Sequence, residues 1–233
     1  MSDVDVIVLD PTPKNGSTKS NRDKWITTVT LLTGAGILKY LYGFNQHTFI
    51  GDEYLIVNVM WLMLVPALII FFLFREEMSD FGFRRAENGV NRISWVFIGL
   101  MVVPIIIAGR FPAFKSTYPL RFQASTDWSA LLNWELLYGF YLFCWEFFFR
   151  GFLLFGLRRS LGDWAAIGIT SFGFGVMHIG KPVPEMISSF FGGAILGWLA
   201  LRGKSFLPCF VIHWAIAILM DLVAIHGRPG GLF

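Results

Sequence analysis

Charge is scarce in this 233-residue chain. Asp, Glu, Lys and Arg together make up 15% of it, against about 25% in an ordinary soluble domain. Nineteen basic and sixteen acidic residues leave a formal net charge of +3. That excludes a strongly basic nucleic-acid binder and an acidic disordered chain. Cysteine is nearly absent. Cys144 and Cys209 both lie in apolar runs, which makes neither a disulfide scaffold nor zinc-knuckle spacing. The chain has no fixed-period repeat and no basic-then-apolar signal peptide at its start. Ser171 sits seven residues before His178 without a GxSxG setting, so a serine nucleophile has no support. Neither rings of charge, as in a channel, nor paired halves with broken helices, as in many transporters, are visible.

What is abundant is apolar. Hydrophobic residues reach 55% and aromatics 17%, led by 25 Phe and 9 Trp, and mean hydropathy is +0.60. A soluble fold of this size cannot hide that much apolar surface from water, so the expected medium is a lipid bilayer. The expected fold is all-α, a polytopic membrane helical bundle of about seven transmembrane helices. The apolar runs fall at about 24–43, 54–74, 93–109, 128–158, 161–179, 185–201 and 205–226, near the length of about 20 residues that a hydrocarbon core requires. Pro66 is expected to kink the second run. Residues 1–23 read as a polar mobile tail, 24–127 as N-terminal membrane helices with a cytoplasmic linker, 128–226 as a core of further helices, and 227–233 as a C-terminal tail.

Lys and Arg favour the cytoplasmic side of a membrane protein. With the N-terminus inside, the inner segments hold 12 of them and the outer segments 5. The expected setting is a multi-pass integral protein of a bacterial plasma membrane, with its N-terminus in the cytoplasm and lipid as its constant partner.

Charged groups at bilayer depth are costly and normally face a bundle interior or a wet cavity. In the last four runs these are Glu135, Glu146, Arg150, His178, His213 and Asp221. Glu146 and Arg150 are four residues apart on one helix face, where opposite charges pair. An internal ion pair that pins helix packing explains them equally well. Glu135 most simply caps or anchors a helix end, and a lone membrane histidine is most simply a helix–helix hydrogen-bonding group. Taken together, the acid, the guanidinium and the two imidazoles fit another role. A carboxylate takes a proton from water, and imidazoles donate to a developing oxyanion. Glu146, His178 and His213 also form a possible zinc ligand set. A rise of 1.5 Å per residue puts Glu146, His178 and His213 at unequal depths of about 18, 25 and 13 Å, which tilt would have to level. Gly193 and Gly197 make a GxxxG step, and with Gly173 and Gly175 they read first as close-packing positions.

The order WEFFFRG, FGVMH and LRGKSFLPCFVIHW resembles the CPBP family, which includes CAAX prenyl protease type 2 and the bacterial Abi-like intramembrane proteases. The family pattern is EExxxR, FxxxH and HxxxN on successive helices, and the resemblance covers about 128–226. DFGFRR at 80–85 resembles its upstream linker. The resemblance implies an intramembrane endopeptidase acting on a membrane-associated protein or peptide, whether as a metalloendopeptidase using zinc or without a metal. It assigns Glu146, Arg150, His178 and His213 to the catalytic set, with Phe174 as the partner of His178. Two positions depart from it. Trp145 stands where the family has its first Glu, the residue thought to activate water, and Ala217 stands where HxxxN ends. Either Glu146 is the base, or Glu185 supplies the missing carboxylate, or the chain keeps the fold as a non-catalytic scaffold or partner-binding protein. Small-solute transport is a more distant reading of the same buried charges.

Overall fold

A computed structural model describes residues 21–48, 50–87, 89–226, 228 and 231–232. Most of the expected 1–23 tail and much of the 227–233 tail lie outside the described residues. Asn21 to Asp23 already belong to the first helix.

Eight helices follow in order, and no strand occurs among the described residues. We label them α1 (Asn21–His47), α2 (Asp52–Phe74), α3 (Val90–Ala108), α4 (Pro112–Thr117), α5 (Trp128–Leu161), α6 (Asp163–Val176), α7 (Val183–Gly203) and α8 (Leu207–Ile225). All but the short α4 correspond to the seven apolar runs. Their starts follow local chemistry. The Asp127 carboxylate accepts the Ala130 N–H at 2.7 Å and caps α5. Proline occupies the first turn of α4, α7 and α8, where its missing N–H costs nothing.

Five helices are long and apolar enough to cross a membrane: α2, α3, α5, α7 and α8. The other two expected spans differ in kind. α6 has 14 residues, and α1 carries threonines and Lys39 along its length. Pro66 marks the expected irregularity in α2. It lies between two stretches of wider π-type turns, Met60–Leu64 and Ile69–Phe74. Proline supplies no N–H to the ladder, so neighbouring hydrogen bonds shift.

α5 is the axis of the fold. In its most apolar window 89% of residues are buried, against 17% for α3. α1 lies along α5 at close range. The Thr27 hydroxyl donates to the Gly156 carbonyl at 3.0 Å. A Cβ on Gly34 would meet Leu153 and one on Gly156 would meet Thr30. On the outside, Trp95, Leu100, Val103 and Ile107 of α3 give an exposed apolar face, as expected of a helix in lipid.

One end of the bundle is tied by ion pairs. Glu76 is flanked by Arg22 and Arg159, and Arg158 pairs with Asp163 at 2.8 Å. The link after α2 is clamped there too. Phe81 is fully buried and stacks on Phe74 and Phe152. Gly82, at φ +78°, accepts the Phe206 N–H through its carbonyl. A side chain is disfavoured at that φ. The resulting clamp fixes α5 and α8 relative to each other below the polar groups they carry.

Candidate active site

Midway along α5 the backbone changes from α to π-type turns over Phe147–Leu153, a feature common at functional sites. Glu146 is the last residue before that change and Arg150 lies inside it. The expected pair is present. Arg150 Nη1 is 3.2 Å from Glu146 Oε2 and 3.3 Å from Oε1, with the two side chains 1% and 0% exposed. Arg150 also donates to the Gly193 carbonyl of α7 at 3.4 Å. Its guanidinium carbon lies 4.0 Å from the centre of the Phe174 ring of α6. One cation thus joins three helices.

His213 of α8 meets the same carboxylate, its Nδ1 at 2.6 Å from Glu146 Oε1. Opposite a carboxylate oxygen Nδ1–H is the donor, and Nε2 is the other ring nitrogen. His178, just beyond α6, donates Nδ1–H to the Phe174 carbonyl at 2.8 Å, which leaves its Nε2 free as well. The Phe174 ring sits between them, 4.5 Å from the His178 ring and 5.7 Å from that of His213.

Both imidazoles line two adjoining cavities. The smaller, about 290 Å³, has mixed walls that include Asn45, Tyr54, Tyr141 and Trp145. The larger, about 480 Å³, lies between α3, α7 and α8 and is mostly apolar, with Ile105, Leu196 and Ala217 among its walls. Tyr138, His178, Lys181 and His213 are common to both. Glu146 belongs to neither wall. It stands behind His213.

Glu185 enters the larger cavity from the first turn of α7. It accepts a hydrogen bond from the Tyr118 hydroxyl at 2.5 Å, and Lys181 Nζ donates to the same hydroxyl oxygen at 3.2 Å. Burial, then Glu185, push the Tyr118 phenol well above its ordinary pKa, so it stays a donor. Burial pulls the Lys181 ammonium below the usual lysine value, against the pull of Glu185 and Asp221. Sequence reasoning missed Tyr118 and Lys181. In the sequence Lys181 reads as an outer-side charge and, with Pro182 and Pro184, as a possible broken connection, and nothing in the spacing links Tyr118 to α7.

The remaining candidates have structural partners. Glu135 and Asp221 are neighbours farther along α5 and α8. The Trp134 indole donates to Asp221 at 3.0 Å. The Ser171 hydroxyl donates to the Ile167 carbonyl. The glycines do pack closely: a Cβ on Gly193 would come 3.1 Å from the Ser171 backbone, and one on Gly175 would strike Phe190. Trp145 fills the space beside His178, 6.2 Å ring to ring, and also touches Phe149 and Phe174.

The zinc expectation does not fit this donor set. Among the described residues no three His, Cys, Asp or Glu side chains form a group that would hold a metal ion. Glu146 is taken up by Arg150 and His213, and His178 turns Nδ1 to a backbone carbonyl.

The fold and the site define a polytopic helical membrane protein with an interior carboxylate–imidazole centre. Residues 127–219 match the family model described as Rce1-like, Type II CAAX prenyl endopeptidase Rce1-like. The matched stretch takes in Glu146, Arg150, His178, Glu185 and His213. Comparison with curated proteins and with solved structures gives no match.

Proposed function

We propose that this chain is an intramembrane endopeptidase of the CAAX-protease type, hydrolysing a peptide bond of a membrane-associated protein or peptide. The observation that carries this reading is the meeting of Glu146 with His213 at 2.6 Å, behind two imidazoles on one cavity wall. In this reading Arg150 holds Glu146, and Glu146 orients the His213 ring. The His213 Nε2–H then donates to the oxyanion that forms when water adds to the scissile carbonyl. The His178 Nε2 lies on the same wall and takes a hydrogen bond from water or from the amide. Glu146 works through His213, because its carboxylate has no exposure of its own. The gathering of Arg22, Arg158 and Arg159 at one end of the bundle supports a cytoplasmic N-terminus.

The test is hydrolysis of a library of internally quenched membrane peptides by the full chain in proteoliposomes. Wild type cleaves, while Glu146→Gln, His178→Ala and His213→Ala lose turnover. Equal turnover in all four sinks the mechanism. Trp145, a large buried ring beside His178, favours the second reading, a non-catalytic partner-binding protein of the same fold. That reading predicts saturable retention of a peptide with no cleavage.

A further inference from the structure

Hydrolysis needs a group that takes a proton from water as the water attacks, and that group must reach the cavity. Four carboxylates lie near the centre. Glu146 is closed off by Arg150 and His213. Glu135 and Asp221 are neighbours farther along α5 and α8 and line neither cavity. Glu185 is the single carboxylate among the residues that line the two cavities, and it shares the larger one with both imidazoles.

Its surroundings suit the task. Oε1 is fixed by the Tyr118 hydroxyl at 2.5 Å, and Lys181 backs that hydroxyl at 3.2 Å. A cation behind the phenol strengthens its donation to the carboxylate. Oε2 is buried and has no hydrogen-bond partner. A buried acceptor left without a donor is uncommon and costly. Glu185 lines a cavity of about 480 Å³, and a turn of its carboxylate toward that space would let a water or an amide N–H complete the acceptor.

We propose that Glu185 is the catalytic base of this cavity, with Tyr118 as its positioning residue. This rests on the endopeptidase reading. The Glu185 carboxylate takes a proton from water while the water oxygen bonds to the carbonyl carbon and the carbonyl oxygen becomes the oxyanion. The protonated Glu185 then gives that proton to the amide nitrogen as the C–N bond breaks. One water and one peptide become a carboxylic acid and an amine, and the carboxylate is restored.

The experiment uses the full chain in proteoliposomes and the quenched peptide library, with melting temperature read in parallel. Glu185→Gln lowers kcat at least about 100-fold at an unchanged melting temperature. Glu185→Ala is equally slow and regains turnover with added formate, a small carboxylate that enters the vacated space. Tyr118→Phe lowers kcat about tenfold, the worth of one hydrogen bond, with KM held. Glu185→Gln within about threefold of wild type, or Glu185→Ala unmoved by formate, overturns the assignment. If His213→Ala is inactive in the same assay, the endopeptidase reading survives that loss. A wild type that cleaves nothing in the library overturns both.

Discussion

Glu146 and Glu185 stand near one cavity in opposite circumstances. Glu146 sits on the buried axis helix with a guanidinium and an imidazole on its oxygens. Glu185 sits in the first turn of a peripheral helix, with one oxygen held by a phenol and the other unpartnered. A charge that is fully paired in the interior organises the helices around it and has little left for chemistry. A carboxylate with an acceptor to spare, on a cavity wall, contributes little to the fold and retains its reactivity. The contrast predicts that stability and turnover separate between the two.

Removing the cation behind Glu146 is the strongest way to test that separation. Arg150→Met is expected to cost about 3–5 kcal/mol in denaturant unfolding, because it strands a buried carboxylate. A loss under about 1 kcal/mol means that His213 alone holds Glu146, and the comparison weakens. Next in size is Gly193→Ala. Its methyl would press on the Ser171 backbone at 3.1 Å while moving the carbonyl that receives Arg150. Overpacking of this kind costs about 1–3 kcal/mol, and a fall in melting temperature together with turnover is expected. Glu185→Gln probes the other side. Its glutamine still accepts from Tyr118, so unfolding shifts by under about 1 kcal/mol while hydrolysis stops. A large loss of stability in this variant erases the distinction. The smallest effect is expected far from both acids. Lys204 adopts φ +50° at the end of α7, a conformation that favours glycine. Lys204→Gly should raise stability by about 0.5–1 kcal/mol and leave turnover as it was. Altered turnover there implies that the clamped end of the bundle communicates with the site.

The seven apolar runs and the Glu146–Arg150 pair were legible because both depend on spacing along one helix. Run length tracks the hydrocarbon core, and four residues make a turn. The meeting of His213 with Glu146 was not, since 67 residues separate them and their depths along separate helices look unequal. Helix placement and side-chain reach close that difference, and neither is written in a local pattern. The same holds for Tyr118 and Glu185, which are brought together across 67 residues from a connecting segment and a helix start. Sequence pattern also misjudged α6. Its apolar run extends past Val176, where the helix stops, and the remainder turns to carry His178 and Lys181 to the cavities. The expected zinc set shows a related limit: the residue types suit a metal, but their hydrogen-bond commitments do not.

The widened turns of α5 set the rotational phase of its two halves. A π-type turn accommodates one residue more than an α-turn does, which rotates the C-terminal half of the helix by about 100° relative to an unbroken α-helix. Deleting a single residue between Phe147 and Leu153 would restore the regular ladder. It would leave Glu146 aimed at His213 while swinging Arg158 and Arg159 off the Asp163 and Glu76 that now hold them. The helix is therefore keyed by length as much as by composition. Insertions or deletions in that short window would disengage the upper half of the molecule from the lower, even with every polar residue retained.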